Sequence, residues 1–177
     1  MTVDVVYETH STSEDNEAGI ATGWLPGRLS AAGRERAREL GERRRDDGIA
    51  VVFTSDLGRA VETAEIAFGG SALPLIEDAR LRECDYGELN GTAEPLHDRV
   101  AYLDRPYPGG ESWRQAVERV ADFLDELRQE RDGERVLVIG HSATRLALEV
   151  VANGRELDEL IGAPFIWKPG WEYVLSP

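Results

Sequence analysis

Two histidines stand at the ends of short apolar runs: His10 after Val3-Asp4-Val5-Val6-Tyr7, and His141 after Val136-Leu137-Val138-Ile139-Gly140. Each run reads as a buried strand, and in open α/β sheets reactive groups collect at the carboxyl ends of parallel strands. The two imidazoles are therefore expected to meet in one crevice, although the chain separates them widely. Near neutral pH an imidazole serves as nucleophile, as acid or base, or as metal ligand. Spacings such as His-x-x-x-His, or paired carboxylates on one helix face, are missing, so the expectation is that no metal or other cofactor is used. The third histidine, His97, falls among helix-like surface residues and is expected to be solvated.

The elements that position these residues alternate. A strand over Val3 to Tyr7 leads into a long polar stretch, Glu8 to Gly23, of the length that is functional or mobile in a compact domain. Ser30 is a good N-cap for a helix from Ala31 to about Arg45, stopped by Asp46-Asp47-Gly48. A β-type run over Ile49 to Phe53 follows, then a helix opened by Ser55 or Asp56 and ended by Gly69-Gly70. A third strand is expected over Leu73 to Glu77. Beyond it, Arg80 to Pro108 lacks periodicity apart from a helix expected near Pro95 to Leu103, and reads as a cap or insertion. Apolar residues at 116, 117, 120, 123, 124 and 127 give the period of an amphipathic helix over Ser112 to Arg131. A strand over Val136 to Ile139 and a helix over Ala143 to Val151 complete the alternation. The aromatic tail, Phe165 to Leu175, is expected to close the sheet as a strand pair. The pattern predicts a three-layer α/β/α sandwich with a mostly parallel central sheet covered by helices on both faces.

The 177 residues, 41% of them apolar, suit one domain over 1–177 with a cap insertion at about 80–110. A formal net charge of −14 argues against nucleic acid or an anionic membrane as partner. A small anionic substrate in a locally basic pocket remains compatible with it. One cysteine, Cys84, leaves no disulfide framework and no multi-cysteine metal cluster. It is expected to be a packed residue. With no basic region before a long apolar stretch, the expectation is a cytoplasmic protein. The aromatic tail, with Phe165, Trp167 and Trp171, either covers a sheet edge or forms a homodimer contact, and a homodimer is the expectation.

Several segments, in order, spell a family. Ser55-Asp56-Leu57-Gly58-Arg59-Ala60-Val61-Glu62-Thr63-Ala64 closely resembles the S-x-L-x-R-A-x-x-T-A signature of the histidine phosphatase, or phosphoglycerate mutase-like, superfamily. Leu81-Arg82-Glu83 with Gly87 and Gly91, then Pro108-Gly109-Gly110-Glu111-Ser112, then Val138-Ile139-Gly140-His141, resemble its later blocks. His10 with Asn16, Gly23, Leu29-Ser30 and Gly33 resembles its N-terminal region. The resemblance implies the phosphoglycerate mutase-like fold, metal-independent phosphoryl chemistry, and His10 as a nucleophile that carries the phosphoryl group. It places Arg59 and His141 in the phosphate pocket and makes Glu83 the proton donor to the leaving oxygen, a role that needs burial. Ser11, Asn16 and Ser142 fall at pocket positions. Arginine suits such a pocket because its planar fork binds two oxygens and keeps its charge.

The first motif departs from the family's Arg-His-Gly: here it is Thr9-His10-Ser11, preceded by Glu8. A bidentate phosphate ligand is absent and a carboxylate stands nearby. Ser11 lacks glycine's freedom to admit a phosphate close to the backbone, although its hydroxyl can donate. Arg28, Arg82 and Arg145 are the candidates to supply the missing charge. Three readings follow. The first is a phosphatase-like hydrolase of a small phosphorylated metabolite. The second is an acid/base enzyme (isomerase, dehydratase or non-phosphate hydrolase) using His10, Glu83 and Glu8. The third is a non-catalytic binding member. The short segment between Gly91 and Pro108 disfavours a mutase, since larger insertions there would enclose a bisphosphorylated cofactor.

Overall fold

A computed structural model describes residues 2–94 and 97–177 of the chain. Its centre is a five-stranded sheet. The strands are β1 (Val3–Thr9), β3 (Val51–Thr54), β4 (Leu75–Glu77), β6 (Arg135–Gly140) and β7 (Trp171–Leu175). Their order is β4-β3-β6-β1-β7, with all pairings parallel except β1 to β7. Strands buried on both faces read as continuous apolar runs, which is why β1 and β6 stand out in the sequence.

Helices cover both faces, as the alternation predicts. On one side α2 (Ala31–Arg44) and α3 (Gly58–Phe68) pack against each other. There Leu40, Ala64 and Phe68 meet Val6, Val52, Leu137 and Ile139. On the other side lie α4 (Trp113–Glu130) and α5 (Ser142–Asn153). That face holds Phe123, Leu124 and Leu146 against Val5, Tyr7, Val136 and Val138. The cap of α2 falls where the sequence puts it, whereas α3 starts at Gly58 with Leu57 as an N-cap that makes no side-chain hydrogen bond, not at Ser55 or Asp56. Ser30 Oγ accepts from the Gly33 N–H at 3.0 Å, and Ser112 forms a capping box with Gln115.

Three further expectations are corrected. The polar stretch after β1 is not all loop, because it contains α1 (Glu14–Ala18), capped by Ser13, and β2 (Ile20–Ala21). β2 pairs antiparallel with β5 (Thr92–Ala93), which ties this stretch to the irregular middle segment. The helix expected near Pro95 to Leu103 lies partly outside the described residues, and 97–103 form turns. The tail is one strand, not a pair. A short α6 (Leu157–Leu160) precedes an irregular 161–170, where Pro164, Pro169 and Gly170 break any ladder, and only β7 joins the sheet beside β1.

Candidate active site

β1 and β6 are neighbours in register, Thr9 opposite Gly140, so their carboxyl ends deliver His10 and His141 side by side. The two rings lie 5.1 Å apart between centroids, tilted at 47°. The crevice expected from the two apolar runs exists.

His10 is partly buried, and its Nδ1 lies 2.8 Å from the Ser11 carbonyl oxygen. A carbonyl can only accept, so Nδ1 carries the hydrogen and the Nε2 lone pair is left free. Burial, with the Arg59 guanidinium second, pushes the His10 pKa down to about 3, keeping the ring neutral at physiological pH. A neutral ring with a free Nε2 is the form that attacks phosphorus.

The loop after His10 is clamped in place. The Thr63 hydroxyl receives the Ser11 N–H at 3.0 Å, and the Ser30 N–H reaches the Thr12 carbonyl at 3.1 Å. Gly33 lies so close that a Cβ there would fall 1.8 Å from the Thr12 oxygen. This explains Leu29-Ser30-x-x-Gly33: the first turn of α2 rests directly on the loop after His10. Ser11 itself is unstrained, since every positive φ among the described residues belongs to glycine.

His141 is fully buried as the N-cap of α5. Its Nε2 lies 2.6 Å from Ser55 Oγ, and Arg59 Nη2 approaches its Nδ1 at 3.4 Å. Burial, then the charge of Arg59, drives its pKa well below the usual histidine value. Arg59, in the first turn of α3, donates to the Leu25 and Gly23 carbonyls at 3.0 and 2.9 Å, which fixes its buried side chain beside both imidazoles. The S-x-L-x-R signature thus places the Ser55 hydroxyl and the Arg59 guanidinium on one imidazole.

Glu83 is buried against the start of α5. Its oxygens accept from the backbone N–H groups of Cys84, Ala143 and Ser142 at 3.0 to 3.2 Å. Its backbone is held as firmly. Arg119 donates to the Arg80, Arg82 and Glu83 carbonyls, and pairs with the Glu111 carboxylate at 2.8 Å. Glu111 also accepts the Asp85 N–H at 3.0 Å. Gly87 and Gly110 let the two backbones meet: a Cβ on Gly110 would fall 2.2 Å from the Asp85 oxygen. The Pro-Gly-Gly-Glu-Ser block is therefore the support for the loop that carries Glu83, a role its sequence alone did not disclose. Cys84 is buried there, its thiol pKa pushed up by burial, as a packed residue.

These side chains open onto a cavity of about 910 Å³. Ser11, Asn16 and Ser142 line it as expected, Asn16 also capping α1 through its side-chain oxygen. The three arginines expected to replace the motif arginine do not line it. Arg28 points outward, 73% exposed, onto Glu14. Arg82 is held by both oxygens of Asp56 and stacks over Trp24. Arg145 lies over the Trp171 ring. Sequence reasoning missed Arg36, whose Nη1 donates to Thr12 Oγ1 at 2.7 Å from the cavity wall, because an exposed arginine in an arginine-rich helix carries no local signal. His97 is not a solvated helix residue either. It lines the cavity, its ring packed against Tyr86 and Tyr107 and its Nε2 2.9 Å from Thr92 Oγ1. Glu8 is 2% exposed and is taken up by Arg43 and Arg44, at 3.1 and 2.9 Å, in an ion cluster that anchors the end of α2 to β1. Among the described residues no group of three His, Cys, Asp or Glu could hold a metal ion.

A mostly parallel sheet covered on both faces brings two histidines, a buried arginine and a buried glutamate to one strand end, an arrangement suited to phosphoryl transfer. The chain belongs to the histidine phosphatase superfamily, branch 1, whose family model matches residues 9–164. It is 31% identical to a 2,3-bisphosphoglycerate-dependent phosphoglycerate mutase of Parvibaculum lavamentivorans, covering 93% of this chain and 89% of the relative. It is 34% identical to the protein of that name from Methylobacterium sp., covering 89% and 84%. Among solved structures, Bacillus stearothermophilus YhfR superposes with a TM-score of 0.84 at 25% identity, over 97% of this chain and 90% of that one. A mycobacterial glucosyl-3-phosphoglycerate phosphatase solved with VO3 superposes with a TM-score of 0.76 at 23% identity, over 89% and 84%, a likeness of fold. Among the described residues no helix is long and apolar enough to cross a membrane.

Proposed function

We propose that the protein hydrolyses a phosphate monoester of a small metabolite through a phosphohistidine at His10. The observation that carries this reading is the hydrogen bond from His10 Nδ1 to the Ser11 carbonyl, which leaves Nε2 unprotonated at the cavity beside Arg59 and His141. In the first step Nε2 forms a bond to phosphorus as the ester P–O bond breaks, and Glu83 acts as the proton donor to the leaving alcohol oxygen. In the second step water attacks phosphorus, returns a proton to Glu83, and the N–P bond breaks to release inorganic phosphate. Arg59 bears on the phosphoryl oxygens, and His141 Nδ1, as the acceptor of the Arg59 Nη2 hydrogen, helps hold that guanidinium in place. With Thr9 in place of arginine, Arg36 is the cavity-wall guanidinium that bears on the nucleophile loop.

A second reading, a phosphoglycerate mutase, is favoured by the names of the sequence relatives. It shares both steps but returns the phosphoryl group to a second hydroxyl rather than to water. The shortness of the 91–108 segment supports hydrolysis, since it supplies no large insertion to enclose a second phosphorylated group. The test is a panel of sugar, nucleotide and carboxylate phosphates with wild type and His10→Ala. The hydrolase reading expects phosphate release that disappears in His10→Ala. Isomerised phosphoglycerate without phosphate release would establish the mutase. No turnover together with no vanadate binding would reject both.

A further inference from the structure

Arg59 and Glu83 come from different elements, α3 and the segment that follows β4, and one residue touches the supports of both. Arg59 donates to the carbonyls of Gly23 and Leu25, so its guanidinium straddles Trp24. The Trp24 indole Nε1–H donates to the Glu83 carbonyl at 2.7 Å, and its backbone N–H donates to Asn90 Oδ1 at 3.2 Å. The same Asn90 oxygen accepts the Tyr86 N–H at 3.0 Å, three residues beyond Glu83. Gly23 admits this approach: a Cβ there would fall 1.8 Å from Asn90 Oδ1, and its φ of +57° favours glycine.

The indole ring is itself held by charge. The Arg82 and Arg119 guanidiniums lie 4.6 and 5.8 Å from its centroid. Arg82 also grips both oxygens of Asp56, which stands just before α3. The contacts therefore close into a ring. It runs from Arg59 to the 23–25 backbone, through Trp24 to Glu83, and through Arg82 and Asp56 back to the start of the helix that carries Arg59.

A closed ring of this kind fixes a separation. Phosphoryl transfer needs positive charge on the phosphoryl oxygens and a proton at the leaving oxygen together, and a misplacement of about 1 Å costs about a hundredfold in rate. Resting on the phosphatase reading, we propose that Trp24 is the positioning residue that sets the proton donor Glu83 relative to the phosphate-binding Arg59. Trp24 does not line the cavity, so it acts through the backbone of Glu83 and of its own two neighbours.

The experiment measures kcat for propyl phosphate and for p-nitrophenyl phosphate, whose leaving group needs no proton, in wild type, Trp24→Phe, Glu83→Gln and the double variant. Trp24→Phe keeps an aromatic ring beside the two arginines and removes the indole N–H. It should lower kcat for propyl phosphate by about tenfold and for p-nitrophenyl phosphate by less than about threefold, with no further loss in the Glu83→Gln background. Arg82→Gln, which opens the ring at Asp56 instead, should show the same selectivity and stands in if Trp24→Phe does not fold. Unchanged kcat, equal falls for the two esters, or a loss that persists in Glu83→Gln overturns the inference and leaves the phosphatase reading standing. No turnover of either ester by wild type, with no vanadate binding, instead removes the reading beneath it.

Discussion

Ser55 Oγ lies 2.6 Å from His141 Nε2, and this contact decides which nitrogen of His141 faces the cavity. With Arg59 donating toward Nδ1, Nε2 carries the hydrogen and gives it to the serine. Ser55→Ala removes the partner of a buried N–H and frees the ring to turn. It should lower kcat/KM by about tenfold or more while phosphate affinity changes less, a split that steady-state kinetics with vanadate inhibition resolves.

Arg59 is expected to be the main fixed charge of the site. Arg59→Ala should cost about 10²–10³-fold in kcat/KM, the scale of losing a preorganised charge-stabilising donor. Arg28→Ala, which removes only an exposed contact to Glu14, should leave kinetics untouched. Equal losses in the two variants would mean that the phosphate sits elsewhere.

Arg119 acts on Glu83 through its backbone. Removing it breaks the partly buried pair with Glu111 and takes the side-chain donor from the carbonyls of residues 80 and 82, while the Glu83 carbonyl keeps the Trp24 Nε1–H at 2.7 Å. Arg119→Met should lower stability by about 2–4 kcal/mol in denaturant unfolding. If its role is to position the proton donor, kcat should fall much more for alkyl phosphates than for p-nitrophenyl phosphate, whose leaving group needs no proton. A uniform fall would assign Arg119 to stability alone.

The histidines also set an acid limit. His10 is depressed from 6.5 to about 3, and His141 is depressed as well, both chiefly by burial. Above about pH 6.5 both rings are neutral folded and unfolded, so titration costs nothing. As pH falls below that, the unfolded chain binds protons the folded one refuses, and stability declines until the folded pKa is reached. The slope is roughly 1.4 kcal/mol per pH unit for each ring. Thermal unfolding between pH 7 and 4.5 should show this fall, and His10→Gln should reduce its slope by about one proton's share.

How far the sequence discloses this arrangement follows from which forces act locally. His10 and His141 are legible because each ends an apolar run, and parallel register does the rest. Arg59 and Glu83 are legible only through the family blocks, since nothing in their own surroundings separates a buried arginine or glutamate from an exposed one. The 80–110 segment has no period to read because side chains and close glycine contacts hold it: Asn90 accepts from the Tyr86 N–H, and Glu111 from the Asp85 N–H. His97 was misplaced for the same reason, since its position depends on aromatic packing between distant residues. Arg28 falls on the loop before α2, where Gly27, at a φ of +61°, helps turn the chain and the side chain runs out to Glu14 rather than into the cavity.

The central claim is covalent chemistry at His10. The direct measurement is rapid quenching of wild type during turnover of a phosphate ester, followed by mapping of protein-bound phosphate. The account predicts acid-labile, alkali-stable phosphate on the peptide that carries His10, formed at the rate of the first step and absent from His10→Ala. Full turnover with no phosphate on that peptide, or activity retained by His10→Ala, would contradict it.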